Sequence, residues 1–132
     1  MTMNDTDAEA RTRGGASYRD AAALLKALAH PVRLEIVALL THGEVCVCHM
    51  QALLHKRQPY ISQQLMALRD AGLVGDRREG AVVYYRLVAQ DLGPVLAWVR
   101  SELARQGREV PSMDVPALPV AGCPCPHCAQ LE

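Results

Sequence analysis

A three-residue interruption separates two helix-forming stretches and leaves the chain few ways to fold. "HMQALLH" (49–55) reads as a short helix, Lys56-Arg57-Gln58 as a turn, and Pro59 as the opening of a further helix that ends near Gly72. Proline suits a helix's first turn, where its missing N–H has no partner to lose. So short a connection holds the two helices against each other at an angle around a shared core.

The flanking sequence supplies that core. "SYRDAAALLKALAH" carries an apolar stripe of Ala21, Leu24, Leu25 and Leu28, with Ser17 and Asp20 spaced to cap its start. His30-Pro31 ends that helix and starts another, which buries Val32, Ile36, Leu39 and Leu40 and stops at Gly43. Cys46 to Cys48 form an extended or helix-entry segment. Beyond Gly72, Val82, Tyr84 and Arg86 alternate with Val83, Tyr85 and Leu87, and Glu79-Gly80 supplies a hairpin turn. A last helix places Leu92, Val95, Leu96, Val99 and Leu103 on one face. The predicted fold class is mainly α with a small β-hairpin. The 132 residues suit one domain at 17–107, between an arm at 1–16, expected to be disordered, and a proline- and cysteine-rich tail at 108–132, expected to be extended and mobile.

In the helix that Pro59 opens, Ile61, Leu65 and Leu68 fall on one side, and Tyr60, Gln63, Gln64 and Ala67 on the other. A solvated amphipathic helix would also show this division. Glutamine, however, can read adenine bidentately in a major groove, and small residues let a helix sit deep there. Lys56, Arg57, Arg69, Arg77, Arg78 and Arg86 outnumber Asp70, Asp76 and Glu79 in this region, although the whole chain has zero formal net charge. A nucleic-acid surface must therefore be local. Helix, turn, polar-faced helix and basic hairpin, in that order, make a winged helix-turn-helix, whose second helix enters the groove while the hairpin reaches the backbone. Gln58, Tyr60, Ser62, Gln63 and Gln64, with Lys56, Arg57, Arg77 and Arg78, are the expected contacts to double-stranded DNA, the two wing arginines setting affinity more than sequence choice.

Five cysteines lie in two tight groups, Cys46 with Cys48 and Cys123 with Cys125 and Cys128. Clustering favours chelation or redox use over scattered core packing. Residues two apart share a face only in an extended segment, and a helix N-terminus favours the thiolate that binds metal. Soft thiolates select soft ions. No apolar run is long enough to span a bilayer and the acidic start is no signal peptide, so the expected compartment is the reducing cytoplasm, with no membrane partner.

Together, "LKALAHPVRLEIVALL", "EVCVCHMQALL", "ISQQLMALRDAGLV" and "REGAVVYYRL" resemble the ArsR/SmtB family of metal-responsive repressors over about residues 18 to 105. The resemblance implies a winged-helix homodimer paired through its first and last helices, with Leu24, Leu28, Leu92, Val95, Leu96, Val99 and Leu103 as dimer surface. It implies repression by operator binding and release when metal binds; because no general base, nucleotide loop or paired catalytic carboxylates stand out, no enzymatic activity, organic cofactor or organic substrate is expected. The family's arsenic and cadmium sensors carry Cys-Val-Cys at the position of Cys46-Val47-Cys48, which makes As(III) or Sb(III) the expected inducer and Cd(II), Pb(II) or Zn(II) the alternatives.

Two departures from the family pattern matter. Gln51 stands where some arsenic sensors have a third cysteine, and the N-terminal arm has no cysteine to lend. The expected metal ligands are therefore Cys46 and Cys48 completed by one or two of Cys123, Cys125 and Cys128. The tail can extend on the order of 50 Å at ~3.3 Å per residue. Three thiolates suit As(III), and four suit Zn(II) or Cd(II). The tail could also bind metal by itself, with His127 as a further ligand. The family's second metal site would fall on Ala89, Asp91, Glu102 and Arg105, a poor ligand set. His30, His42, His49 and His55 read as structural or exposed, with His49 placed to tune the Cys48 thiolate. A thiol redox sensor using a bridge to the tail is the rival within DNA binding, and a dithiol enzyme or metallochaperone the rival outside it.

Overall fold

The computed structural model describes residues 15–111. Its first helix, α1 (Tyr18–Leu28), starts at a capping box: Ser17 Oγ accepts the Asp20 N–H at 3.3 Å, and the Asp20 carboxylate accepts the Ser17 N–H at 2.9 Å. At His30 the backbone turns extended, and its Nδ1 accepts the Val32 N–H at 3.2 Å, so this histidine is the cap of α2 (Pro31–Leu40). Val32 and the whole run Ile36 to Leu40 are buried. A helix apolar on nearly every side belongs in the middle, and α2 packs against α1 and the later elements α3 (Val47–Leu54), α4 (Gln58–Asp70), β3 (Val82–Leu87) and α5 (Leu92–Arg105).

After α2 come β1 (Val45–Cys46), α3 and α4 (Gln58–Asp70). α3 ends at His55, which takes the left-handed conformation at φ +54° and donates its N–H to the Gln51 carbonyl at 3.0 Å. That reverses the chain quickly, and α4 begins at Gln58, one residue before the proline expected to open it. β2 (Val74–Glu79) and β3 form the hairpin. Its turn is Gly80-Ala81 rather than Glu79-Gly80: the register pairs Glu79 with Val82, and Gly80 has the positive φ (+61°) that a two-residue turn needs at its first central position.

The sheet has one more strand than the hairpin. β1 pairs antiparallel with β3, Val45 opposite Tyr85 and Cys46 opposite Tyr84, giving the order β1-β3-β2. Ile36, Leu39, Met50, Ile61, Leu65 and Leu68 are fully enclosed between the helices, and truncating such a leucine to alanine costs ~2–5 kcal/mol.

Two of the residues expected on a dimer surface are corrected here. Leu28 and Leu92 belong to this same buried core and leave little to offer a partner. Apolar surface stays exposed at Leu24 and Leu25 of α1 and at Val95 and Trp98 of α5. Leu96, Val99 and Leu103 line an apolar cleft of about 320 Å³ between α2 and α5. Among the described residues no helix is long and apolar enough to cross a membrane.

Candidate metal centre and nucleic-acid interface

Cys46 ends β1 and is also the N-cap residue of α3, its sulfur accepting the His49 N–H at 3.4 Å as a serine oxygen would. Position N3 of a helix can reach back to its cap, and His49, at N3, brings Nδ1 to 2.7 Å from Cys46 Sγ. Cys48 Sγ lies 2.7 Å from Cys46 Sγ. The ligand atoms of Cys46, Cys48 and His49 all fall within 4.8 Å of one another. Two sulfurs and an imidazole nitrogen make a soft-to-borderline donor set that fits a thiophilic or zinc-like ion.

Cys46 and His49 are buried and Cys48 half-buried. Cys48 opens onto a cleft of about 220 Å³ lined by Val47, Gln51, Gln58 at the start of α4, and Ala81, Val82 and Val83 at the tip of the hairpin. The cleft beside Cys48 is therefore walled by both α4 and the wing. Cys123, Cys125 and Cys128, with His127, lie outside the described residues.

The outer face of α4 presents Gln58, Tyr60 and Gln63, with Ser62 half-buried beside them. Lys56 and Arg57 before it and Arg78 on the wing are exposed. Met66, which the sequence reading overlooked, is 59% exposed on the same face and is a side chain suited to a thymine methyl. Gln64 is a correction. It is 7% exposed, and its Oε1 accepts the Arg33 Nε–H at 2.9 Å. Since Arg33 also donates to the Ala27 carbonyl at 3.2 Å, Gln64 joins α4 to α2 and α1 instead of facing outward. Periodicity put it outside because it borders the apolar stripe, and a buried amide needs only one good partner to settle inward.

The wing holds a second surprise. Arg77 donates through Nε and Nη2 to the Glu44 carboxylate at 2.8 and 2.7 Å and through Nη1 to Glu79 at 3.1 Å. Its guanidinium sits 4.5 Å from the centre of the Tyr84 ring. Hydrogen bonds to Glu44, then to Glu79, push its pKa further up, so it is always charged. Arg69 is likewise tied to Asp76 at 3.1 Å, joining the end of α4 to β2.

A short helix, a tight turn, an exposed-faced second helix and a two-stranded wing define a winged helix-turn-helix protein. Residues 30–75 match the sequence model described as "Bacterial regulatory protein, arsR family". The chain is 40% identical over 87 residues to the "Biofilm growth-associated repressor" of Xylella fastidiosa, covering 64% of this chain and 76% of that one. It is 49% identical over 65 residues to the "Arsenical resistance operon repressor" of Escherichia coli, covering 48% and 56%. Among solved structures it resembles the homodimeric winged helix-turn-helix DNA-binding domain of a possible ArsR-family transcriptional regulator from Mycobacterium bovis, with a TM-score of 0.59, 31% identity, and coverage of 71% of this chain and 89% of that one. The chain belongs to the arsR family, a family of transcriptional regulators rather than enzymes. It spans little more than half the length of some of the curated relatives it matches.

Proposed function

We propose that this chain is a cytoplasmic transcriptional repressor that binds operator DNA as a homodimer and releases it when a thiophilic inducer binds Cys46 and Cys48. The observation that carries this reading is the position of the thiol pair. It caps the first helix of the helix-turn-helix and opens onto a cleft walled by the start of α4 and the wing tip. DNA contacts fall to Gln58, Tyr60, Ser62 and Gln63, with Lys56, Arg57 and Arg78 on phosphates. Exposed Leu24, Leu25, Val95 and Trp98 favour pairing through α1 and α5.

As(III) or Sb(III) would take Cys46, Cys48 and one thiolate from Cys123, Cys125 or Cys128, entering beside Cys48. The proximity of His49 favours a second reading, in which Cys46, Cys48 and His49 hold Zn(II), Cd(II) or Pb(II), with a tail thiolate as the fourth donor. When bound, the ion supplies charge and a fixed coordination geometry, while the chain's own residues carry the change to the DNA. Fluorescence anisotropy of the reduced protein on its own upstream DNA, titrated with arsenite and in parallel with Cd(II), tests the function. Release by arsenite alone supports the three-thiolate inducer, and release by Cd(II) alone supports the site with His49. Binding that neither ion alters contradicts a metal switch and leaves the redox sensor.

A further inference from the structure

We infer that Arg77 is a positioning residue that links the thiol site to the wing, and not the phosphate contact its place on a basic hairpin suggests. The inference rests on the reading of Cys46 and Cys48 as the inducer site.

Three observations converge on it. The strand registers put Cys46 opposite Tyr84 and Tyr84 opposite Arg77, so one row of residues crosses the sheet from β1 through β3 to β2. Directly opposed residues project from the same face. Tyr84 is 2% exposed and packs in one small cluster with Cys46 and, more loosely, Cys48. On that ring lies the Arg77 guanidinium, whose fork then reaches past it to grip Glu44, two residues before Cys46. Arg77 thus holds both ends of the path: the ring that touches Cys46 and the chain that enters Cys46.

The same contacts leave Arg77 poorly disposed towards DNA. Both edges of its fork face carboxylates, those of Glu44 and Glu79, and a phosphate would have to displace one of them. Its neighbour Arg78 points to the other face, is exposed, and forms no ion pair among the described residues.

Ligation gives the row something to transmit. An ion held by Cys46 and Cys48 would set the separation and direction of the two sulfurs, which touch each other here. A shift at Cys46 meets a close-packed ring on one side and a clamped carboxylate beside it, and packed contacts pass on displacement instead of absorbing it.

The test uses the full-length reduced protein, DNA from upstream of its own reading frame, and arsenite and Cd(II) as the probes. Operator affinity is measured with and without each ion, and ion affinity is measured without DNA. Arg77→Lys keeps the charge but loses the fork and the stack, and Glu44→Gln removes the clamp while leaving Arg77 in place. Both variants should bind ion and metal-free DNA within about threefold of wild type. The factor by which ion weakens DNA binding, expected at about 5–150-fold in wild type, should fall at least about fivefold in each. The double variant should lose no more than either single one. Arg78→Ala should instead weaken DNA binding and reduce its salt slope by about one while keeping the coupling. Wild-type coupling in Arg77→Lys and Glu44→Gln would overturn the inference alone, as would an Arg77→Ala variant whose salt slope falls as that of Arg78→Ala does. A wild-type complex indifferent to both ions would overturn the inducer site and the inference with it.

Discussion

The thiol cluster at the start of α3 and the outer face of α4 belong to one helix-turn-helix, yet their side chains are in opposite states. Cys46 and His49 are buried and already in contact with each other. Gln58, Tyr60, Gln63 and Met66 stand at the surface. On the proposed function, the contrast separates sensing from reading. A buried, self-contacting donor set can change only by rearranging its neighbours, whereas an exposed face awaits a partner and spends its chemistry on binding. Gln63 and Gln64 repeat the contrast within two residues: one faces outward, and the other is held by Arg33.

The sharpest way to break the comparison is at His49. Its replacement by asparagine should weaken Cd(II) or Zn(II) binding at least about tenfold, since losing even an outer-shell partner costs 10–100-fold, while arsenite binding stays near wild type. Charge-transfer absorption during each titration reads this directly. Equal losses for both ions would mean that His49 supports the fold of the site and not its donor set.

Next comes the outer face. Gln63→Ala should cost operator binding ~1–3 kcal/mol, the range for one bidentate base contact, with far less effect on random DNA. An equal loss on both would remove Gln63 from base readout. The adjacent Gln64→Ala should do the reverse. It should leave specific DNA binding within about twofold of wild type but lower unfolding stability by ~1–2 kcal/mol, because the Arg33 donor is left without its acceptor. Chemical denaturation checks the second half of that statement. The smallest effect belongs to Arg78→Ala, a uniform weakening across DNA sequences that disappears as salt is raised.

Much of the fold was legible because its punctuation is local. Ser17 with Asp20, His30-Pro31, Pro59 and Gly80 each act through bonds or dihedrals within a few residues, and each falls where the sequence puts a boundary, give or take one position. β1 was legible only as an extended helix entry, and one residue too late: two residues carry no period, and only pairing with β3 makes Val45–Cys46 a strand, while Val47 and Cys48 are already in α3. The same limit separates the site's parts. The Cys-Val-Cys spacing announces a candidate donor pair, but His49 joins that cluster only through the helix geometry that turns N3 back on its cap. Arg77 looks like any wing arginine until the register sets it across Tyr84 from Cys46. Leu28 and Leu92 read as stripe residues on the terminal helices, and only the packing of those helices onto α2 assigns them to the core.

The central claim, that a ligand on Cys46 and Cys48 releases the DNA, is tested most directly by one ratio. Operator affinity without inducer is divided by operator affinity at saturating arsenite or Cd(II), for wild type and for Cys46→Ser and Cys48→Ser side by side. The account predicts a ratio of about 5–150 for wild type and close to one for each variant, with the inducer-free affinities unchanged. A serine variant that dissociates from DNA as wild type does would contradict it.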